Sequence, residues 1–151
     1  MTVSQKRISI AVDVNVNLGA ANTVTEKMRI GELAQKANIT PRTIRYYENL
    51  GLLKPSEREG AGFRYYTDAE FVRLQKIDCL KALGLTLEEI ASVIDLYFEP
   101  TELKAKQKTL AILQAHLQET DEKIAALAQF RSELQANITK IQQCIEQISN
   151  E

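Results

Sequence analysis

Arg42, Arg45 and Tyr46 stand at i, i+3 and i+4 of one short segment, so a helix there presents all three on a single face. The chemistry open to such a face is recognition. An arginine guanidinium offers a planar fork to a guanine edge or a phosphate, and a tyrosine adds a ring for sugar or methyl contact and a hydroxyl for phosphate. Thr43 and Tyr47 lie beside this face, and Arg58, Phe63 and Arg64 repeat the pairing of cation and ring in the glycine-rich stretch Arg58-Glu59-Gly60-Ala61-Gly62-Phe63-Arg64-Tyr65-Tyr66. Bond-breaking chemistry has no such set. The chain holds one histidine, no phosphate-cradling glycine motif and no triad spacing, which argues against an enzyme.

These side chains need a scaffold, and the sequence spells one out. Leu33, Ala34 and Ala37 recur at helical spacing, and Ile44 supplies an apolar anchor on the next segment, so two short helices can share a small core. Asn38 suits the turn between them. Thr40 before Pro41 predicts an N-cap followed by proline at the first helical position, where a missing amide hydrogen costs little. Gly51-Leu52-Leu53-Lys54-Pro55 ends the second helix, and the glycine-rich stretch reads as a hairpin, or wing, with one of Tyr65 and Tyr66 turned inward. Thr67 or Asp68 caps a helix to about Leu83, Gly84 closes it, and Thr86-Leu87-Glu88-Glu89 is a capping box for the next. Four helices and a wing fit residues 28–98.

With those residues in view, the chain resembles the MerR family of bacterial transcription regulators. The resemblance rests on Ile30-Gly31-Glu32-Leu33-Ala34, Thr43-Ile44-Arg45-Tyr46-Tyr47-Glu48, Gly51-Leu52-Leu53, Gly62-Phe63-Arg64-Tyr65-Tyr66 and Leu83-Gly84-Leu85-Thr86-Leu87-Glu88-Glu89-Ile90. It implies a mainly α protein, a winged helix-turn-helix domain followed by a long dimerisation helix that pairs as an antiparallel coiled coil. It also implies double-stranded promoter DNA as ligand, a homodimer, and RNA polymerase as the partner at a promoter whose spacer is distorted by the bound protein. Carried over by position, Arg42, Arg45 and Tyr46 face the groove or its rim, with Thr43 beside them among the DNA-binding residues, while Tyr47, Arg58, Phe63 and Arg64 grip flanking backbone. The expected form is the short one, without an appended drug-binding domain.

Charge and periodicity both set the later part of the chain apart from the earlier. Residues 27–83 carry 11 Lys or Arg against 7 Asp or Glu, and residues 84–151 carry 6 against 11. The excess of +4 on the first part steers it toward phosphate; the second part, at -5, has no such pull. With Leu103 as position a of a heptad, the seam is Leu103, Leu110, Leu117, Ile124, Arg131, Ile138 and Ile145 at a, and Lys106, Leu113, Thr120, Leu127, Leu134, Ile141 and Ile148 at d. No glycine or proline interrupts 101–149, so residues 99–151 read as one dimerisation helix with Leu103, Leu110, Leu113, Leu117, Ile124, Leu127, Leu134, Ile138, Ile141 and Ile145 as its contacts. Periodicity alone does not set the direction of pairing. The rival function is a coiled-coil interaction adaptor without specific DNA binding, which explains the heptads but leaves the basic face and wing without purpose.

The remaining features bound the function. In residues 1–27, Ile8, Ile10, Val12, Val14, Val16 and Leu18 alternate as in a strand; the leader is an extra strand, a disordered arm or a product of start-codon choice. Asp13 and the alternation argue against a signal peptide, no segment is long and apolar enough to span a membrane, and the expectation is a cytoplasmic protein. Metal-sensing members of the resembling family carry a cysteine pair after the dimerisation helix. Here Cys144 stands without a second cysteine after it, and Cys79 and His116 are distant in sequence, so the expectation is no metal and no cofactor, with the effector unassigned. Tyr97 and Phe98, between the small domain and the long helix, are expected to pack against the first turns of that helix.

Overall fold

The computed structural model describes residues 26–54, 57–59 and 62–151, the side chains of 57–59 excepted; the leader through residue 25 and the side chain of Arg58 lie outside it. The chain divides into two units, Met1–Thr109 and Leu110–Glu151.

In the first unit, α1 (Ile30–Lys36) and α2 (Pro41–Asn49) are joined by a turn in which Asn38 takes a φ of 54°, a left-handed conformation that its short polar side chain tolerates. The hydroxyl of Thr40 accepts the backbone N–H of Thr43 at 3.1 Å, and Pro41 follows as the first helical residue. Leu33 and Ala34 of α1 and Ile44 and Tyr47 of α2 are buried together, which sets the rotation of α2 about its axis. The wing follows as β1 (Glu57–Glu59) and β2 (Phe63–Tyr65), antiparallel, with Arg58 opposite Arg64. Met28 and Tyr66 exchange backbone hydrogen bonds of 2.7 and 2.8 Å, so the segment before α1 is fastened to the end of the wing.

Two capping boxes fix the next helices. In α3 (Asp68–Ala82) the cap is Thr67, whose backbone N–H donates to Glu70 at 2.6 Å; in α4 (Leu87–Val93) Thr86 donates likewise to Glu89 at 2.8 Å and accepts the Glu89 N–H at 3.2 Å. Gly84, at a φ of 97°, makes the turn between them. A 3-10 turn, Ile94–Phe98, leads to α5 (Leu103–Ser149), a single helix of 47 residues and, at about 1.5 Å per residue, about 70 Å.

The first unit runs to Thr109, past residue 98, where the four helices and wing read from the sequence end. The opening turns of α5 belong to the small domain's core. Ala105 is fully buried, the Tyr97 and Thr109 hydroxyls are 2.9 Å apart in a buried hydrogen bond, and Lys108 donates to the Ser92 carbonyl at 2.8 Å. Lys76 of α3 is buried with its ammonium 4.7 Å over the Tyr97 ring and 4.0 Å from the Glu102 carboxylate, so a cation that is costly to bury has both a ring and a counter-charge. Tyr97 packs as expected, whereas Phe98 remains 41% exposed under the Arg73 guanidinium.

In the second unit, Leu110–Glu151, the apolar seam is uncovered. Leu110, Leu117, Ile124, Leu127, Leu134, Ile138, Ile141 and Ile145 are all exposed, as is Leu103 in the first turn of α5; Leu113 is half-buried. No helix among the described residues is long and apolar enough to cross a membrane.

Candidate nucleic-acid interface

The outward face of α2 follows from what its inward face buries. With Ile44 and Tyr47 packed in the core, Arg42, Arg45 and Tyr46 are left exposed, Tyr46 at 52%. Thr43 is half-buried and its hydroxyl lies 2.9 Å from that of Thr40, so this side chain works in the helix cap. Tyr47 departs from the backbone-gripping position: it is 4% exposed, and its hydroxyl accepts from the Lys81 ammonium at 3.2 Å. The cause is helical spacing, since Tyr47 stands three residues after Ile44 and shares its face.

The wing is tied to α2 by one carboxylate. Glu48, its side chain 8% exposed, accepts from the Arg64 guanidinium of β2 on one oxygen and from the Tyr66 hydroxyl at 2.5 Å on the other. Burial raises the Tyr66 phenol above the ordinary tyrosine range, and its hydrogen bond to the Glu48 carboxylate raises it further. Charge-assisted bonds of this kind hold two elements at a set separation. Arg64 is therefore engaged within the protein while remaining 43% exposed on its side chain. Phe63, beside it, is 59% exposed, with the Arg29 guanidinium 5.5 Å from its ring centre.

Between α2 and the wing lies an open cleft of about 560 Å³ whose lining includes Arg29, Arg45, Asn49, Phe63 and Arg64. Three guanidiniums converge there around an exposed ring, a surface suited to a phosphate backbone with a sugar edge against Phe63. Arg29, Glu48 and Asn49 are the members that the sequence reading did not single out. Glu48 carried a usable signal, being the lone acid on an otherwise basic recognition segment.

The cysteines do not join this site. Cys79 is half-buried in α3, Cys144 is exposed on α5, and both are free thiols; among the described residues no three His, Cys, Asp or Glu side chains gather as a metal site.

The family model described as MerR HTH family regulatory protein matches residues 28–96, and a second, described as MerR, DNA binding, matches residues 71–137. The chain is 39% identical over 107 residues to the HTH-type transcriptional regulator ZntR of Escherichia coli K12, spanning 71% of this chain and 75% of that protein. It is 34% identical over 108 residues to the regulator HmrR of Rhizobium leguminosarum, spanning 72% and 81%. Among solved structures it is similar to the transcription regulator PbrR691 of Ralstonia metallidurans in complex with lead(II), with a TM-score of 0.58 and 34% identity over 71% of this chain and 81% of that one.

Proposed function

The chain belongs to the MerR family of DNA-binding transcription regulators, and from that premise we propose that two copies bind promoter DNA together and control transcription by distorting the spacer between the two polymerase elements. The observation that carries the reading is the convergence of α2 and the wing on one basic cleft. Arg42, Arg45 and Tyr46 enter the major groove, Arg45 reading a base edge or the phosphate at its rim. Phe63, Arg64, Arg58 and Arg29 hold the flanking backbone. Glu48 keeps the two grips at a common distance, so that they follow one strand across the groove edge. The dimerisation helix joins two such domains, and the spacing of its two readers fixes the spacing of the half-sites. RNA polymerase is the partner at that promoter.

Transcription from the chain's own upstream promoter, with purified polymerase, tests the spacer mechanism. Wild-type spacing should require the protein for activated transcription, and shortening the spacer to the length polymerase prefers should make transcription independent of it. Continued dependence on the protein with the shortened spacer would refute distortion as the mode of control.

A further inference from the structure

We infer that Lys76 is a positioning residue for operator spacing: buried where α5 joins the recognition domain, it holds the opening turns of that helix in one direction and so sets the separation at which two joined readers meet DNA. This goes beyond the paired reading proposed above and rests on it. The prompting observation is a charge where packing needs none. Lys76, in the middle of α3, is 4% exposed, with its ammonium 4.7 Å over the Tyr97 ring and 4.0 Å from the Glu102 carboxylate. It is not among the residues that line the basic cleft. A hydrocarbon side chain of similar volume would fill the space without the cost of stripping water from an ammonium, and exchanges of that kind are often neutral or stabilising. What the cation adds is a fixed geometry. Packed hydrocarbon tolerates sliding, whereas an ammonium is attracted to a ring face and to a carboxylate only from particular positions.

The contacts define an axis and not only a point. Glu99, Pro100, Thr101 and Glu102 join the 3-10 turn to α5 outside any helix, so the covalent link does not by itself aim α5. Lys76 meets Glu102 at the entrance to α5 and orients the Tyr97 ring, whose hydroxyl lies 2.9 Å from that of Thr109. Glu102 and Thr109 are seven residues apart, about two helical turns, so they lie on nearly the same face and about 10 Å from each other. Two grips at that separation fix direction as well as position. Lys108 adds a third by donating to the Ser92 carbonyl at 2.8 Å, and Lys106, 3.2 Å from Glu102, pairs with that carboxylate from the solvent side.

The same helix brings the frame of the reader to this joint. Arg73, one turn before Lys76, donates through Nε to the Leu52 carbonyl just beyond α2 and through a terminal nitrogen to Asp95 of the 3-10 turn at 2.6 Å. Thus α3 ties the end of α2 to the start of α5. No glycine or proline stands between 103 and 149, so α5 has no hinge of its own beyond the one that Lys76 holds.

Operator duplexes with one base pair added to or removed from the centre of the palindrome test the inference, since each change moves the half-sites by about 3.4 Å and turns them by about 35°. Wild-type affinity, by fluorescence anisotropy, should fall at least about tenfold for either change. Lys76→Met keeps the volume and leaves Glu102 paired with Lys106, so it should fold and dimerise with a urea midpoint no lower than that of the wild type. It should bind the unaltered operator within about threefold of the wild type and lose no more than about threefold on either altered duplex. Tyr97→Phe removes one oxygen, keeps the ring under the ammonium and cuts the grip at Thr109, whose hydroxyl can turn to the Ala105 carbonyl; it should relax the spacing preference in the same way. If Lys76→Met does not fold, Tyr97→Phe decides alone. A residue that only fills the core would move the urea midpoint and leave the spacing preference as it is. Full wild-type discrimination in either folded variant overturns the inference. A wild-type chain that binds all three duplexes equally defeats the paired reading itself and leaves Lys76 no spacing to set.

Discussion

Three side chains of α2 separate recognition from support. Arg45 is exposed, so Arg45→Ala should leave folding and dimerisation intact while costing about 1–3 kcal/mol of operator affinity. Unchanged affinity in a fluorescence-anisotropy titration would remove it from the reading face. Glu48 acts through others. Glu48→Ala strips the Tyr66 hydroxyl and the Arg64 guanidinium of their shared acceptor, and the expected loss is about 1–3 kcal/mol of stability in urea denaturation, together with weaker DNA binding as the wing loosens. Tyr66 adds a pH signature. Its phenol is raised above the ordinary value when folded, so its contribution is intact at neutral pH and is lost as pH rises past the unfolded value of about 10. Alkaline unfolding followed by circular dichroism should be shallower in Tyr66→Phe, and an unchanged profile would contradict the assignment. At this scale the sequence displayed charge and ring but concealed pairing. Arg64 and Glu48 are sixteen residues apart, so their contact depends on how the wing folds back. Tyr47 stands three residues after Ile44, a spacing that turns it inward, whereas the resemblance had placed it on the DNA backbone.

Helix ends were the most readable elements because their signals are local. Thr40-Pro41 and the boxes Thr67 to Glu70 and Thr86 to Glu89 each satisfy orphan backbone N–H groups within four residues of chain, so no tertiary information is needed to place them. Thr67, and not Asp68, is the cap of α3, because the box needs its acid at the third helical position and Glu70 is there. Thr86→Ala should therefore cost about 1 kcal/mol in thermal or urea unfolding; a stability change near zero would mean that the Glu89 side chain alone holds the end of α4. The junction with α5 was less legible. Heptads mark the helix but not which of its turns serve the domain. Ala105 and Thr109 are small side chains off the seam, and their burial, with Thr109 bonded to the Tyr97 hydroxyl, is a matter of shape.

For the molecule as a whole, the sequence indicated a basic recognition domain followed by an apolar seam, and the chain divides into two compact units after Thr109. The seam's role is tested by Leu113→Asp/Leu127→Asp, which buries charge in any paired coil. The variant should sediment as a monomer and lose operator affinity because each chain then holds a single half-site; a persistent dimer would place the interface elsewhere. The central claim is that paired copies read promoter DNA through α2 and the wing. Titration of purified protein into labelled duplex from its own upstream promoter, across a salt series and against a scrambled duplex, addresses it most directly. The account predicts two chains per duplex, a palindrome-dependent affinity, and a linear fall of log affinity with log salt as phosphate contacts release counterions. Equal affinity for the scrambled duplex at every salt concentration would contradict it.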